Sequence, residues 1–172
     1  MLTNTEVENY LQKIVIILDT GILGLVTNPQ SEKLALECKR WFTKIELEGI
    51  RTVSSEISDY EIRRELIRAK KTNGLRRLNE LREEIGCLPI NRETMQKAAE
   101  LWAWARQTGQ STAHGESLDG DVILAAQAVI LGLKGKSPII ATTNVKHIAR
   151  YTPALHWRDI SLENCIKKCF YL

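Results

Sequence analysis

The chain has 172 residues, of which 44% are hydrophobic and 26% are charged, and its formal net charge is +3. This length suits a single domain, and the apolar content supports a folded core and argues against a disordered chain. The mild positive charge permits a polyanionic partner without requiring one. No apolar run approaches the roughly 20 residues that span a bilayer, and residues 1–13 lack the pattern of a signal peptide, so we expect a cytoplasmic protein.

The first strong element is an apolar run over residues 14–18 that ends at an acid, Asp19. A continuous aliphatic run predicts a strand buried on both faces. A carboxylate that follows it directly should lie at the end of the strand, because a bare charge inside the core is costly. Residues 1–13 are polar and predict an N-terminal extension, and residues 14–172 predict one domain.

Helices and strands alternate along the rest of the chain. Helices are predicted over 20–26, 31–48, 55–69, 75–85, 91–108, 122–131, 144–151 and 161–170, and strands over 50–54, 86–90, 137–142 and 154–157, with a polar loop over 109–118. Such alternation is typical of an α/β protein in which a central, mostly parallel sheet has helices on both faces. We therefore predict a three-layer α/β/α domain.

Acids occur where ligands gather in such a fold, at the carboxyl ends of strands and at helix starts. They are Asp19 after the first strand, Glu61 early in the helix after the second, and Asp119 and Asp121 at the start of the apolar helix. Converging carboxylates repel one another, and oxygen ligands suit Mg²⁺ or Mn²⁺. Each acid also has a structural explanation, since Asp19, Asp119 and Asp121 suit helix caps and first turns, and Glu61 can pair with a nearby arginine.

The order of these motifs resembles that of the PIN-domain ribonucleases. Asp19 resembles their first motif, 57–64 the second with its glutamate at Glu61, 121–128 the third, and 141–148 the last, a strand that runs into Thr-x-Asn. The resemblance covers roughly residues 14 to 157, and the subgroup most similar is that of the VapC-type toxins. It implies a PIN-like fold and cleavage of RNA phosphodiester bonds with Mg²⁺ or Mn²⁺.

On this resemblance, Asp19, Glu61 and Asp121 are the expected catalytic, metal-binding acids. Asp119 does not match the most constant position, but it is close enough in sequence to be a further metal ligand. The last motif departs from the acidic version, with Asn144 at a polar position and His147 where many relatives have an acid. We expect Asn144 to support the site, as do Thr20 and Thr142 by hydrogen bonding to the carboxylates.

Basic residues follow Glu61 on the two charged helices, and Arg63, Arg64 and Arg68 are the nearest of them. They are either a solvated helix face or a clamp for RNA phosphates. In the resembled toxins the same helix pair supports dimerisation and antitoxin binding. The resemblance therefore implies a homodimer, a cognate antitoxin and the toxin role of a type II toxin–antitoxin system.

Two alternatives remain beside the nuclease. A phosphatase of the haloacid-dehalogenase type also begins with a strand-ending aspartate, but it needs a second acid where this chain has Gly21. A catalytically weakened PIN-like module that binds RNA or a protein is the other, and the departures at Asn144 and His147 motivate it.

Overall fold

The structure is a computed structural model that describes residues 2–109 and 118–170, with the side chain of Leu118 excluded. Its strands are β1 (Ile14–Leu18), β2 (Arg51–Ser55), β3 (Cys87–Leu88), β4 (Ser137–Thr142) and β5 (Ala154–His156). They form one sheet in the order β3–β2–β1–β4–β5, and every pairing is parallel. The most apolar strand, β1, is thus the central one.

Helices cover both faces of this sheet. They are α1 (Asn4–Lys13), α2 (Thr20–Thr27), α3 (Lys33–Leu47), α4 (Glu56–Arg68), α5 (Thr72–Ile85), α6 (Arg92–Gln107), α7 (Leu118–Leu133), α8 (Val145–Ile148) and α9 (Leu162–Phe170). Most of the predicted loop over 109–118 lies outside the described residues. In the part of the chain that is described, no helix is both long and apolar enough to cross a membrane.

Side chains of β1 alternate between two cores, as the period of a strand requires. Ile14, Ile16 and Leu18 face one core with α2, α3, α5 and α9. Val15 and Ile17 face the other, where α7 contributes most of the helical packing. The helix α6 forms an outer layer against α7, in which Ala98 packs with Val122 and Ala126. This two-sided burial explains why β1 has no polar residue before Asp19.

The segment predicted as an N-terminal extension is helical. Thr3 caps α1, and its hydroxyl accepts a hydrogen bond from the Glu6 amide while the Glu6 carboxylate accepts one from the Thr3 amide. This reciprocal capping is a recognised start signal for helices. Tyr10 packs on Phe170 of α9, with ring centroids 4.4 Å apart, so α1 is attached to the core of the domain.

The parallel register places the ends of β1 and β4 side by side. Leu18 pairs with Ala141, and the Asp19 amide donates to the Ala141 carbonyl at 3.1 Å. The next residues along the two strands, Asp19 and Thr142, are therefore neighbours at the carboxyl edge of the sheet. Binding sites of open parallel sheets lie at this edge.

Candidate active site

Asp19 has both carboxylate oxygens engaged at the edge of the sheet. Its Oδ1 accepts a hydrogen bond from the Thr20 amide at 2.6 Å, and its Oδ2 accepts one from the Thr142 hydroxyl at 2.6 Å. Asp19 is also the N-cap of α2, so the structural explanation of this acid holds as well. Because each oxygen keeps a further lone pair, these hydrogen bonds orient the carboxylate without blocking it.

Glu61 reaches the same place from α4. The Thr20 hydroxyl donates to Glu61 Oε2 at 2.5 Å, while the Thr20 amide bonds to Asp19. A single threonine thus connects two acids that are far apart in sequence. The sheet positions α4 for this contact because the helix follows β2, which is paired with β1.

Asp121 enters from the first turn of α7, and its neighbour Gly120 packs against Glu61. A methyl group built on Gly120 would overlap Glu61 Oε1 and lie 3.3 Å from Glu61 Cδ. The glutamate carboxylate therefore rests against the start of α7. Sequence reasoning assigned no role to Gly120, although its position directly before Asp121 was the available signal.

The electrostatics link the three acids. Burial, together with the negative charges of Asp19 and Glu61, raises the pKa of Asp121 to about 6, while the positive charge of Arg150 acts in the opposite direction. Burial also raises the pKa of Asp19, against the hydrogen bonds from Thr142 and Thr20 that lower it. The charge of Glu61 raises the pKa of both Asp19 and Asp121, and that of Asp19 raises the pKa of Asp121, so these carboxylates are close enough to repel. A cation would relieve that repulsion.

Arg150 is a residue of this region that sequence reasoning missed. It follows α8, its charge acts on Asp121, and its guanidinium lies 5.8 Å from the centre of the Tyr151 ring. Nothing local in the sequence distinguishes Arg150 from other surface arginines. Only the tertiary arrangement brings this positive charge to the Asp121 side of the site.

Of two further polar residues predicted for the site, Asp119 lies away from the three acids and Asn144 lies at the edge of the sheet. Asp119 is exposed and lines a groove of about 390 Å³ between α6 and α7, together with Met95 and Trp102, so the structure does not group it with the other acids. Successive residues of a helix are rotated by about 100° around its axis. Asp119 and Asp121 are two residues apart, so their side chains point to roughly opposite sides of α7. Asn144 is at the carboxyl edge of the sheet, where its backbone amide donates to the Thr142 hydroxyl at 2.9 Å.

The predicted RNA-binding arginines lie on α4 with distinct partners. Arg63 makes two hydrogen bonds to the buried Asp59, at 2.7 and 2.9 Å. Arg68 pairs with Glu65 at the surface at 2.8 Å. Arg64 is exposed, and its guanidinium lies 5.3 Å from the centre of the Tyr60 ring. Arg63 is thus part of the scaffold, whereas Arg64 and Arg68 face solvent.

The donor set at this edge fits a partly hydrated Mg²⁺ or Mn²⁺. The available donors are the carboxylate oxygens of Asp19, Glu61 and Asp121, and hard divalent cations prefer oxygen. Among the described residues, no three acidic, histidine or cysteine side chains are grouped tightly enough to hold one ion together. Mg²⁺ commonly uses one or two carboxylates and several waters, so the set need not close around the ion.

The all-parallel five-stranded sheet between layers of helices is a three-layer α/β/α domain with a PIN-like fold, which confirms the predicted fold class. Similar solved structures include VapBC2 from Rickettsia felis bound to a DNA fragment from their promoter, with a TM-score of 0.62 and 17% identity over 83% of this chain and 98% of that chain. VapBC-1 from nontypeable Haemophilus influenzae gives a TM-score of 0.58 and 20% identity over 84% of this chain and 99% of that one.

The predicted resemblance to VapC-type PIN domains is thereby confirmed at the level of the fold. Identities of 17% and 20% establish a shared fold and no more. No family model matches the sequence. No curated protein matches it either.

Proposed function

We propose that the chain is a Mg²⁺- or Mn²⁺-dependent endoribonuclease that hydrolyses RNA phosphodiester bonds. The observation that carries the proposal is the meeting of Asp19, Glu61 and Asp121 at one edge of the sheet, where Thr20 bridges two of them. Acids brought together in this way are unfavourable without a cation. A PIN-like fold supports the same activity, and RNA hydrolysis would take place in the cytoplasm.

Each acid has a defined part in the proposed reaction. Asp19 and Asp121 would hold the cation, and Glu61 would reach it through water. When bound, the cation supplies charge neutralisation at the phosphate and lowers the pKa of water. The hydroxyls of Thr142 and Thr20 keep the Asp19 and Glu61 carboxylates in fixed orientations, so little rearrangement is needed when substrate arrives.

Positive charge near the acids would hold the RNA backbone. Arg150 provides it on the Asp121 side, and Arg64 and Arg68 provide it along α4. The exposed Arg68–Glu65 pair contributes little to stability, so a phosphate can replace the glutamate at small cost. Arg63 is committed to Asp59 and has no such role in the proposal.

We also propose that the protein is the toxin of a type II toxin–antitoxin pair and forms a homodimer. The fold neighbours are VapBC structures, which supports an antitoxin as the partner. Tyr60 and Ile67 on α4 are 56% and 59% exposed, and these apolar side chains on the predicted helix pair suit a protein interface.

Cleavage of single-stranded or structured RNA tests the nuclease directly. We expect cleavage with Mg²⁺ or Mn²⁺, abolished by EDTA and reduced more than about 100-fold by Asp19→Asn, because losing a ligand exceeds the roughly 10- to 100-fold effect of losing its hydrogen-bonding partner. Asp119→Asn is the matched control and should retain activity, since Asp119 lies in the α6–α7 groove. Cleavage that survives both EDTA and Asp19→Asn would contradict the proposal.

A PIN-like module that binds RNA or protein without cutting is the second candidate. The departure of the last motif from its acidic version, at Asn144 and His147, favours it, as does the open spacing of the acidic side chains among the described residues. Thermal unfolding with and without Mg²⁺ or Mn²⁺ distinguishes the nuclease from the binding module, because a ligand that binds only the folded state raises the unfolding temperature. No shift with Mg²⁺ or Mn²⁺, together with no cleavage, would support the binding module.

A further inference from the structure

Gly120 occupies a place in the structure where a side chain does not fit unless Glu61 moves. A methyl group at this position would overlap Glu61 Oε1, and it would also lie 3.3 Å from Cδ and 3.8 Å from Oε2 of the same carboxylate. All three nearest atoms belong to Glu61. The contact between α4 and the first turn of α7 therefore depends on residue 120 being glycine.

Helix formation does not explain this glycine. Glycine is among the least favourable residues in helices, second only to proline. The other glycine of α7, Gly132, has ordinary space around it, since a methyl group there would meet only Pro138, at 3.8 Å. The two glycines lie in the same helix, and the close approach of a carboxylate is peculiar to Gly120.

A side chain at residue 120 would displace Glu61 more readily than it would distort the fold. The atoms in the way are the far end of a flexible side chain, which can swing aside. That movement would break the bond of 2.5 Å between the Thr20 hydroxyl and Glu61 Oε2. Because the Thr20 amide bonds to Asp19, the connection between the two acids would be lost.

We propose that Gly120 is a positioning residue that seats the Glu61 carboxylate against α7 and keeps it bonded to Thr20. The consequence for cation binding rests on the function proposed above, whereas the placement of the Glu61 carboxylate by Gly120 does not. Gly120→Ala should therefore leave the protein folded and impair the site. The proposal therefore predicts that stability is kept while the position of Glu61 is lost.

Crystal structures of the metal-free protein test the seat without reference to activity. In Gly120→Ala we expect the Glu61 carboxylate to leave its position and the Thr20–Glu61 hydrogen bond to be absent, with the unfolding temperature no lower than that of the wild type. Gly132→Ala is the control in the same helix and should leave Glu61 in place. An unmoved Glu61 in Gly120→Ala would overturn the proposal.

Mn²⁺ titration by calorimetry measures the consequence. We expect Gly120→Ala to weaken Mn²⁺ binding roughly 10- to 100-fold, as the loss of a ligand's support does, and Gly132→Ala to leave it unchanged. In a Glu61→Asp background, whose shorter side chain avoids the added methyl, Gly120→Ala should change binding by less than about threefold. Equal losses in both backgrounds would overturn the positioning role.

The two proposals can fail separately. If the wild type neither binds Mn²⁺ nor cleaves RNA, the proposed function is wrong, and the metal-free crystal structures still decide whether Gly120 seats Glu61. If the wild type binds and cleaves while Gly120→Ala does both equally well, the nuclease stands and the role of Gly120 is wrong.

Discussion

Asp121 is an acid whose ionisation opposes folding. Its pKa is raised from 3.8 to about 6, so the folded protein binds the proton more readily than the unfolded chain does. Between about pH 4 and pH 6 the native state therefore holds more protons than the unfolded state, and the free energy of unfolding falls as pH rises through this range. The ionised Asp121 carboxylate thus lowers the stability of the folded protein at neutral pH.

Asp121→Asn should stabilise the metal-free protein at neutral pH. We expect a gain of about 1 to 2 kcal/mol at pH 7 in EDTA, after discounting the full shift because the carboxyl is partly exposed. The gain should disappear below about pH 4, where the wild-type carboxyl is protonated in both states. Urea unfolding at several pH values measures it, and a variant that is less stable than the wild type at pH 7 would contradict this reading of the site.

The helix α4, which carries Glu61, is fixed by a network of charges. Asp59 is 4% exposed and accepts two hydrogen bonds from Arg63, while Arg82 of α5 lies 3.8 Å away. Glu56, at the start of α4, accepts a hydrogen bond of 2.6 Å from the Ile90 amide. These contacts tie α4 to α5 and to the segment after β3, so they hold Glu61 indirectly.

Asp59→Asn should destabilise the protein by about 2 kcal/mol. Breaking a buried ion pair costs roughly 3 to 5 kcal/mol, and the partial exposure of Arg63 reduces this value. The matched control is Glu65→Gln, which breaks the exposed pair with Arg68 on the same helix and should change stability by less than about 0.5 kcal/mol. Equal effects of the two variants in urea unfolding would show that the network does not hold α4.

The elements with strong local patterns were predictable from the sequence. The strand over 14–18 has the predicted bounds, and so has the strand over 137–142, because continuous apolar runs define buried strands. The helix α1 was missed because it is mostly polar, although Thr3 and Glu6 have the spacing of a capping box. Its attachment to the core through Tyr10 is a tertiary contact that no local pattern reveals.

Parallel topology explains how much of the site was predictable from the sequence. In a parallel sheet the strand ends share one edge, so Asp19 and the residues that follow β2 and β4 could be expected to meet there. The directions in which individual side chains point were harder to predict from the sequence. The separation of Asp119 from Asp121 follows from helix geometry, whereas the positions of Gly120 and Arg150 depend on how α7 and the segment after α8 pack.

Association of the whole molecule should depend on α4. Ile67→Lys places a charge on the exposed apolar surface of this helix, and we expect it to convert a homodimer to a monomer. Leu47→Lys is the control, since Leu47 is 84% exposed on α3 and lies outside the proposed interface. Light scattering after size exclusion measures the mass, and a wild type that is monomeric at high concentration would contradict the proposed homodimer.

The proposed nuclease requires that the acids at the carboxyl edge of the sheet bind a divalent cation. The most direct measurement is the anomalous difference map of a crystal soaked in millimolar Mn²⁺. We predict a peak in contact with carboxylate oxygens of Asp19 and Asp121, on the side that Glu61 faces, and none at Asp119. A map without a peak at this edge, or with its only peak at Asp119, would contradict the central claim.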